Sequence, residues 1–174
     1  MMDYFTEHIV KRKKSGKDVI LIILILIAAA ILALAGLAIC IAIPLVGQFA
    51  ILISAGAIWG AYILITSRSV EFEYIVTNGE TDFDRIAARR KRKRLISVPA
   101  KEIEVIAPIT DRSADQITNI IDASSNNPTD NPPCYMVTVK DGVKTKIIFN
   151  PSQKMLKIYK KFRPQAMKVS VSDE

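Results

Sequence analysis

The feature that most constrains this chain is a long apolar stretch, from Val19 to Ile65, that contains no charged side chain. A helix rising about 1.5 Å per residue crosses a hydrocarbon core of about 30 Å in roughly 20 residues, so the stretch is about twice as long as one span requires. Backbone groups inside lipid must hydrogen-bond within the structure, which favours helices. We therefore predict a transmembrane helical hairpin over residues 19–66.

The break between the two predicted helices lies in the sequence IPLVGQ. Pro44 lacks a backbone N–H, Gly47 loosens the backbone, and Gln48 is strongly polar. These features predict one helix over about residues 19–42 and a second over about residues 46–66, joined by a very short turn.

Basic residues lie on both sides of the apolar stretch, whereas the predicted turn carries no charge. Those closest to the stretch are Lys11, Arg12, Lys13, Lys14 and Lys17 before it and Arg68 after it. Cytoplasmic segments of membrane proteins are enriched in Lys and Arg. This distribution predicts a multi-pass protein of the plasma membrane with both termini in the cytoplasm, and with residues 1–18 as a basic cytoplasmic arm.

A cleaved signal peptide is the alternative interpretation of the N-terminal half, because it also combines a basic start with an apolar stretch. The sequence ALA at residues 33–35 resembles a cleavage site, and LAIC ending at Cys40 resembles a lipoprotein signal. The apolar stretch is too long for a signal peptide, however, and a second apolar span follows almost at once. A retained hairpin is therefore favoured.

Small residues recur at the same spacing in both predicted helices, at Ala29 and Ala33 in the first and at Gly56 and Gly60 in the second. Small side chains at this spacing let two helices approach closely. The two pairs predict either packing within the hairpin or a homodimer formed through Gly56 and Gly60.

After the apolar stretch the sequence changes to the alternation of half-buried strands. VEFEYIVT, at residues 70–77, alternates cleanly, and the pair Asn78 and Gly79 that follows is a strong turn signal. The segments ETDFDRIA, RLISV and EIEVIAPI predict three further strands. CYMVTVKDGVKTKIIFN predicts a second β-hairpin that turns at Asp141 and Gly142.

The segment over residues 110–133 gives a mixed signal. Ile117, Ile120 and Ile121 have helical spacing, but the sequence then becomes a loop rich in Asn and Pro. A polar loop of this composition is not expected to be rigid.

The end of the chain predicts an amphipathic helix over residues 151–162, followed by a disordered tail over residues 165–174. Asn150 is placed to cap the helix, and Pro151 suits its first position. The apolar stripe of the helix consists of Met155, Ile158, Tyr159 and Phe162.

Together these elements predict an α+β protein, in which an N-terminal two-helix transmembrane hairpin precedes a small antiparallel β-sheet or barrel capped by a C-terminal α-helix. The strand order, the TNGE turn and the basic-then-apolar third strand resemble the pleckstrin-homology-like (PH-like) domains of bacterial membrane-anchored proteins. The layout is also similar to an uncharacterised family of short bacterial membrane proteins. The resemblance covers residues 69–164 and implies a cytoplasmic binding domain, since such folds host lipid, peptide and protein binding alike.

The sequence ARRKRKRLISV contains six consecutive basic residues: Arg89, Arg90, Lys91, Arg92, Lys93 and Arg94. The predicted C-terminal helix adds, opposite its apolar stripe, Lys154, Lys157, Lys160 and Lys161. Anionic lipid attracts each Lys or Arg near a membrane surface by about 1 kcal/mol, within a Debye length. Both groups are candidate contacts for anionic headgroups or a protein partner. The alternative is that they only set the topology and keep the domain solvated.

No pattern in the sequence indicates catalysis, a cofactor or a metal site. His8 is the only histidine, and the two cysteines, Cys40 and Cys134, lie in different environments. Glycine-rich phosphate loops and paired-cysteine or histidine–glutamate metal motifs are missing. We therefore expect a protein that is not an enzyme and has no catalytic, cofactor-binding or metal-binding residues.

The expected function is to present a PH-like binding or scaffold domain at the inner membrane face, where it engages a protein partner or anionic lipid headgroups. The alternative is an accessory subunit that packs on a larger membrane complex through its transmembrane hairpin. Nucleic-acid binding through the basic run is disfavoured, because no aromatic residues are interleaved with it and the membrane restricts access.

Overall fold

The computed structural model describes residues 4–42, 44–127, 129–140 and 142–170, with the side chains of residues 40, 44–48 and 50 outside the description. The chain divides into two compact units. A β unit comprises the residues up to Lys13 and those from Val70 onward, and a helical unit runs from Lys14 to Ser69. The helical unit is therefore inserted between two segments of the β unit.

The first sheet of the β unit contains four antiparallel strands in the order β1-β2-β3-β4. The strands are β1 (Phe5–Lys11), β2 (Val70–Thr77), β3 (Glu80–Ala87) and β4 (Lys91–Pro99). The strand predicted over residues 70–77 is confirmed, and Asn78 and Gly79 adopt the positive φ that their turn requires. A bulge at Leu95 shifts the register between β3 and β4.

Residues 1–18 are predicted as a basic arm, but part of this segment forms β1, which pairs with β2 along its whole length. Thr6 and Val10 of β1 are buried, whereas the residues between them are more exposed. With so few buried side chains, and with its partner strand beyond the helical unit, β1 has little local sequence signal. The β domain is consequently not confined to residues 69–164.

The second sheet has the order β5-β7-β8-β6. Its strands are β5 (Ile103–Pro108), β6 (Asn119–Asp122), β7 (Cys134–Lys140) and β8 (Val143–Phe149). β7 and β8 form the predicted hairpin, in which Asp141 lies outside the described residues. The helical spacing of Ile117, Ile120 and Ile121 is misleading, because β6 owes its conformation to parallel pairing with β8, which is distant in sequence.

The polar loop after β6 is held by hydrogen bonds, although its composition predicts no rigid structure. Asn150 is buried, and its Oδ1 accepts a hydrogen bond from the Ser125 N–H at 2.8 Å. Its Nδ2 donates to the carbonyl of Asn131 at 2.6 Å. The Tyr74 hydroxyl donates to the carbonyl of Ala123. Buried polar groups of the β unit thus anchor the loop near both of its ends.

The predicted C-terminal helix is confirmed as α3 (Gln153–Phe162), but it begins later than expected. Ser152 caps it, since its side chain accepts a hydrogen bond from the Met155 N–H at 3.3 Å. Asn150 does not serve as the cap because its side chain is engaged by the polar loop. The buried side chains of α3 are Met155, Leu156 and Tyr159.

The core of the β unit lies between the two sheets and α3. Four aromatic rings, those of Tyr74, Phe83, Phe149 and Tyr159, form tilted or edge-to-face contacts with centroids 5.3 to 6.5 Å apart. The buried hydroxyl of Tyr159 shares a 3.0 Å hydrogen bond with Thr81, so its polar end is satisfied. This core fixes the strands that carry the basic run.

The segment after α3 also packs on the β unit, so the predicted disorder of residues 165–174 is wrong for the first part of that range. Ala166 is buried, and Met167 forms a parallel bridge with Ile106 of β5. The Lys168 N–H donates to the carbonyl of Ile106 at 2.8 Å. The segment pairs with backbone groups that an edge strand leaves free. The last four residues lie outside the described residues.

The helical unit consists of α1 (Gly16–Ala42) and α2 (Pro44–Ser67), which contact each other. α2 begins two residues earlier than predicted, at Pro44, because proline suits the first turn of a helix. The Ser54 hydroxyl of α2 donates to the carbonyl of Ala33 in α1 at 3.3 Å.

The two helices differ in how well their described residues match the length and composition of a membrane span. Within the residues that the structure describes, one helix, from Gly16 to Ile39, is long and apolar enough to cross a membrane. A shorter apolar helix runs from Ile51 to Ser67.

Candidate functional site

The basic run lies at one end of the first sheet, which we call the exit end because the chain leaves it toward α1 and returns to it from α2. Val70, the first residue of β2, stands opposite Ala87, the last residue of β3. Arg12, just after β1, donates its N–H to the carbonyl of Val70 at 3.0 Å. The β3–β4 turn, which carries Arg89 and Arg90, is therefore at the same end of the sheet as both connections to the helical unit.

Two residues of the β3–β4 turn adopt the left-handed conformation without being glycine. Ala88 and Arg89 have φ values of 54° and 56°, and the Arg90 N–H donates to the carbonyl of Ala87 at 3.1 Å. These are features of a type I′ turn, whose twist matches the flanking strands and which is usually built from Asn and Gly. Left-handed non-glycine residues cost about 1–3 kcal/mol each, so the pairing of β3 with β4 must hold this turn.

Strand alternation divides the basic run between the two faces of the sheet. The inner face is the one that carries the core side chains of Phe72 and Phe83, and the outer face is the opposite one. Arg92 and Arg94 lie on the outer face. Arg94 Nε is 2.9 Å from Asp84 Oδ1, Arg94 Nη2 is 2.9 Å from Asp82 Oδ2, and Arg92 pairs with Glu73. Glu73 and Asp84 are each only 2% exposed. Buried carboxylates need such partners. These two arginines therefore compensate buried charge and are not free to bind another anion.

The carboxyl group of Glu73 lies in an unfavourable environment for its charge. Burial raises its pKa above the ordinary value of 4.5, and a hydrogen bond with Glu7 and the nearby charge of Asp84 act in the same direction. The positive charge of Arg92 acts in the opposite direction. Arg92 thus offsets only part of the cost of burying this group.

The inner face of the same strands carries basic side chains without acidic partners. Lys93 stands directly opposite Arg85 of β3, and Lys91 lies on the same face of β4. All three are exposed, and within the described part of the chain no carboxylate lies within 4 Å of their charged groups. Like charges directly opposite each other destabilise a sheet. The pair Arg85 and Lys93 is therefore an uncompensated electrostatic cost.

The turn itself carries one paired and one unpaired arginine. Arg89 Nε lies 3.6 Å from Glu71 Oε1, an oxygen that is also 4.0 Å from Lys11 Nζ. Arg90 forms no ion pair with the residues that the structure describes. Of the six predicted contacts in the run, Arg90, Lys91 and Lys93 are the ones without an acidic partner.

The lysines of α3 do not form one surface with the basic run. α3 ends beside the β2–β3 turn, where the Phe162 ring packs against Gly79 and meets the Tyr4 ring edge-on. This turn is at the opposite end of the sheet from the exit end, roughly 25 Å away along β2. The predicted contacts are spread along the helix toward this opposite end: Lys154, Lys157, Lys160 and Lys161.

The small residues predicted to pack the helices fall into two groups. Ala29 and Ala33 are half-buried in α1, and Ala33 accepts the hydrogen bond from Ser54. Gly56 and Gly60 differ, because a Cβ placed on either would meet no neighbouring group within 4 Å. The two glycines leave an open strip along α2, and their role between protomers stays a prediction.

Other reactive groups in the described part of the chain do not form a site. No cluster of three His, Cys, Asp or Glu residues there could hold a metal ion. Burial raises the pKa of the Cys134 thiol to about 11, which keeps it protonated and unreactive. Burial also lowers the pKa of His8, despite the opposing charge of Asp130.

Sequence reasoning missed the residues that decide which cations are free. Glu73, Asp84 and Arg85 lie in strands whose alternation shows on which face of the sheet each side chain lies. Pairing β2 with β3 through the turn at Asn78 would then have placed Glu73 beside Asp84. The bulge at Leu95 decides which basic residues join these acids. That bulge has no local sequence signal.

Comparison with known proteins gives a match to a protein family. A protein-family model described as Bacterial PH-like domain (DUF6106) matches residues 2–169. The matched range includes both segments of the β unit and the helices inserted between them. No curated protein and no solved structure matches the chain at a significant level.

Proposed function

Because the chain belongs to the bacterial PH-like domain family, we propose that it is a membrane-anchored binding module rather than an enzyme. The helical unit anchors the protein through two membrane spans. The β unit engages anionic lipid headgroups or a protein partner at the inner membrane face. A binding or scaffold role agrees with what PH-like folds generally do.

The observation that carries this proposal is the insertion of α1 and α2 between two neighbouring strands of one sheet. A chain that leaves a folded domain and returns to it crosses a membrane an even number of times. α1 and α2 contain 27 and 24 residues. At about 1.5 Å per residue these are roughly 40 and 36 Å long, more than a hydrocarbon core of about 30 Å. Over the described residues α1 is long and apolar enough for a span, and we assign the second span to α2 because the chain must return to the same sheet.

The distribution of charge supports an inner-face location for the β unit. Basic residues flank the helices where the chain joins the sheet, and such residues favour the cytoplasmic side. Green fluorescent protein fused to either terminus is expected to fluoresce, and alkaline phosphatase fused at the same positions is expected to be inactive. Phosphatase activity at either terminus would contradict the location of the β unit at the inner membrane face.

The short connections favour lipid contact by the exit end over contact by α3. Only residues 12–15 connect β1 to α1, and residues 68 and 69 connect α2 to β2. Each Lys or Arg held near an anionic surface adds about 1 kcal/mol of attraction. Arg90 and Lys91, which have no acidic partner among the described residues, are the best placed of the predicted contacts.

Hydrogen–deuterium exchange of the full-length protein in lipid nanodiscs tests the proposal. Backbone amides of residues 87–92 are expected to exchange more slowly with phosphatidylglycerol present than in phosphatidylcholine alone. The β2–β3 turn, at the other end of the sheet, is expected to exchange equally in both lipids. Equal exchange of residues 87–92 would contradict headgroup contact and leave a protein as the partner.

Matched variants separate a specific contact from a general effect of charge. The double substitution Arg90→Gln and Lys91→Gln is expected to abolish the lipid-dependent slowing. The control, Lys101→Gln with Lys140→Gln, removes the same charge from two exposed lysines elsewhere on the β unit. It is expected to retain the slowing.

A second candidate function is that of an accessory subunit in a larger membrane complex. The open strip at Gly56 and Gly60 favours it, because small residues of this kind let a further helix approach closely. Gly56→Leu with Gly60→Leu should then release a partner that copurifies with the wild-type protein. Unchanged copurification would remove this candidate.

A further inference from the structure

The inner face at the exit end carries charge that the rest of the sheet does not compensate. Arg85 and Lys93 face each other across the β3–β4 pair, with Lys91 beside them on β4. On the outer face of the same strands, Arg92 and Arg94 both have buried carboxylates within 4 Å. At the exit end, the two strands thus present an outer face whose arginines are paired with carboxylates and an inner face whose charged side chains are all cations.

The uncompensated cations coincide with a strained turn. Ala88 and Arg89 hold left-handed backbone conformations directly between the strands that carry Arg85 and Lys93. Repulsion between facing cations and backbone strain both reduce the stability of this hairpin. Such costs concentrated at one place are typical of a binding site, where a ligand offsets them.

We propose that Arg85, Lys91 and Lys93 bind a phosphate group, carried either by a lipid headgroup or by a free small molecule. The inference rests on the proposed function, because it names the ligand chemistry of the same exit end. A guanidinium offers a planar fork of N–H donors that fits two phosphate oxygens, and each lysine adds a compact positive charge. A bound phosphate turns the repulsion between the cations into attraction toward a shared anion.

Thermal unfolding of the full-length protein in neutral detergent tests this site. Inorganic phosphate is compared with chloride at equal ionic strength, by differential scanning calorimetry. Phosphate is expected to raise the Tm of the wild-type protein, since a ligand that binds only the folded state stabilises it. The apparent Kd for phosphate is expected to rise roughly tenfold in Arg85→Gln, because a charge-assisted hydrogen-bonding partner is lost.

The behaviour without phosphate distinguishes binding from a structural role. In chloride, Arg85→Gln is expected to unfold at the same temperature as the wild type or higher, because the repulsion with Lys93 is gone. A residue with only a structural role would instead lower the Tm in both salts. The control variant Lys101→Gln with Lys140→Gln is expected to keep the full response to phosphate.

Nanodiscs separate the two sources of the phosphate group. If a lipid is the source, phosphatidic acid in phosphatidylcholine nanodiscs should stabilise the wild type and abolish any further response to inorganic phosphate. If a free molecule is the source, the response to inorganic phosphate should persist beside phosphatidic acid. Either result supports the phosphate site.

The inference is overturned by the absence of any response to phosphate or phosphatidic acid, or by a response that Arg85→Gln retains. Lipid-dependent protection of the β3–β4 turn would still stand in that case, because it requires only a general attraction to an anionic surface. Failure of the phosphate site and failure of the proposed function are therefore distinguishable.

Discussion

Glu73 and Asp84 explain why the basic run offers fewer free charges than its sequence suggests. Both carboxylates are buried on the outer face of the first sheet, where Arg92 and Arg94 reach them. A headgroup or partner that pulled Arg92 away would leave the buried carboxylate of Glu73 without its ion pair, which typically costs about 3–5 kcal/mol. The cations available for binding are therefore those on the inner face and in the turn.

The raised pKa of Glu73 predicts a measurable dependence of stability on pH. Between its ordinary value of 4.5 and the raised value, the folded state binds more protons than the unfolded state. The free energy of unfolding should therefore decrease as the pH rises through this interval. Below pH 4.5 the cost of ionising the buried Glu73 carboxyl should disappear, because Glu73 is protonated in both the folded and the unfolded state. Glu73→Gln is expected to flatten the profile, as measured by thermal unfolding of the full-length protein in neutral detergent.

The control for this profile is Glu80→Gln, which removes one exposed carboxyl from the same face of the sheet. The comparison separates burial of the Glu73 carboxyl from a general loss of negative charge. A Glu73→Gln profile that keeps the wild-type slope would show that Glu73 is not the group responsible.

The β3–β4 hairpin shows how pairing can impose a turn that its own sequence does not favour. A type I′ turn suits Asn-Gly, yet Ala88 and Arg89 occupy its two central positions. The β2–β3 hairpin, with Asn78 and Gly79, has the favoured residues and is readable from sequence. The comparison indicates that the basic residues of the second turn are kept at a cost in stability.

Replacing the strained pair should therefore stabilise the protein. Ala88→Asn with Arg89→Gly is expected to raise the free energy of unfolding by about 1 kcal/mol, because both new residues tolerate positive φ. Arg89 is exposed, its 3.6 Å ion pair with Glu71 is long, and Lys11 lies near the same carboxylate, so loss of this pair should not cancel the gain. The measurement is thermal unfolding of the full-length protein in neutral detergent.

Ala88→Asn with Arg89→Ala is the matched control, because it removes the arginine and keeps a strained residue at the second position. It is expected to be less stable than the Asn-Gly variant. Equal stabilities for the two variants would refute the assignment of strain to this turn.

The insertion of the helical unit between β1 and β2 makes the β domain discontinuous in sequence. A soluble fragment that begins at Ser69 would lack β1, whose buried Val10 contributes to the core. It would also leave the β2 edge unpaired, which favours aggregation. A soluble form of the domain must therefore keep the N-terminal strand.

Direct connection of the two segments should give such a form. Arg12 and Val70 are hydrogen-bonded neighbours across the strand pair, so an Asn-Gly turn placed between them can replace residues 13–69. The resulting protein is expected to be monomeric, soluble and cooperatively folded, as judged by thermal unfolding and amide NMR spectra. The fragment over residues 69–174 is the comparison and is expected to aggregate or to lack a cooperative transition. A fragment of equal stability would show that β1 is dispensable.

Features with a local cause were predictable from the sequence. The charge-free stretch predicted the apolar helices, and the alternation of apolar and polar residues predicted β2. The turn residues at Asn78 predicted the β2–β3 hairpin, and the spacing of apolar residues predicted the apolar stripe of α3. Each of these signals depends on residues within one turn or one strand of each other. The α+β class and the resemblance to PH-like domains followed from the order of such local elements.

Features with a distant cause were decided only by the tertiary structure. β1 and β6 are strands because of partners far away in sequence, and Asn150 holds a loop instead of capping α3. The division of the basic run depends on the bulge at Leu95 and on acids contributed by two other strands. Sequence alone determined that the chain carries six adjacent cations after a long apolar stretch. Only the packing of the strands decided which of them are neutralised, because a charge is compensated by whatever the fold places beside it.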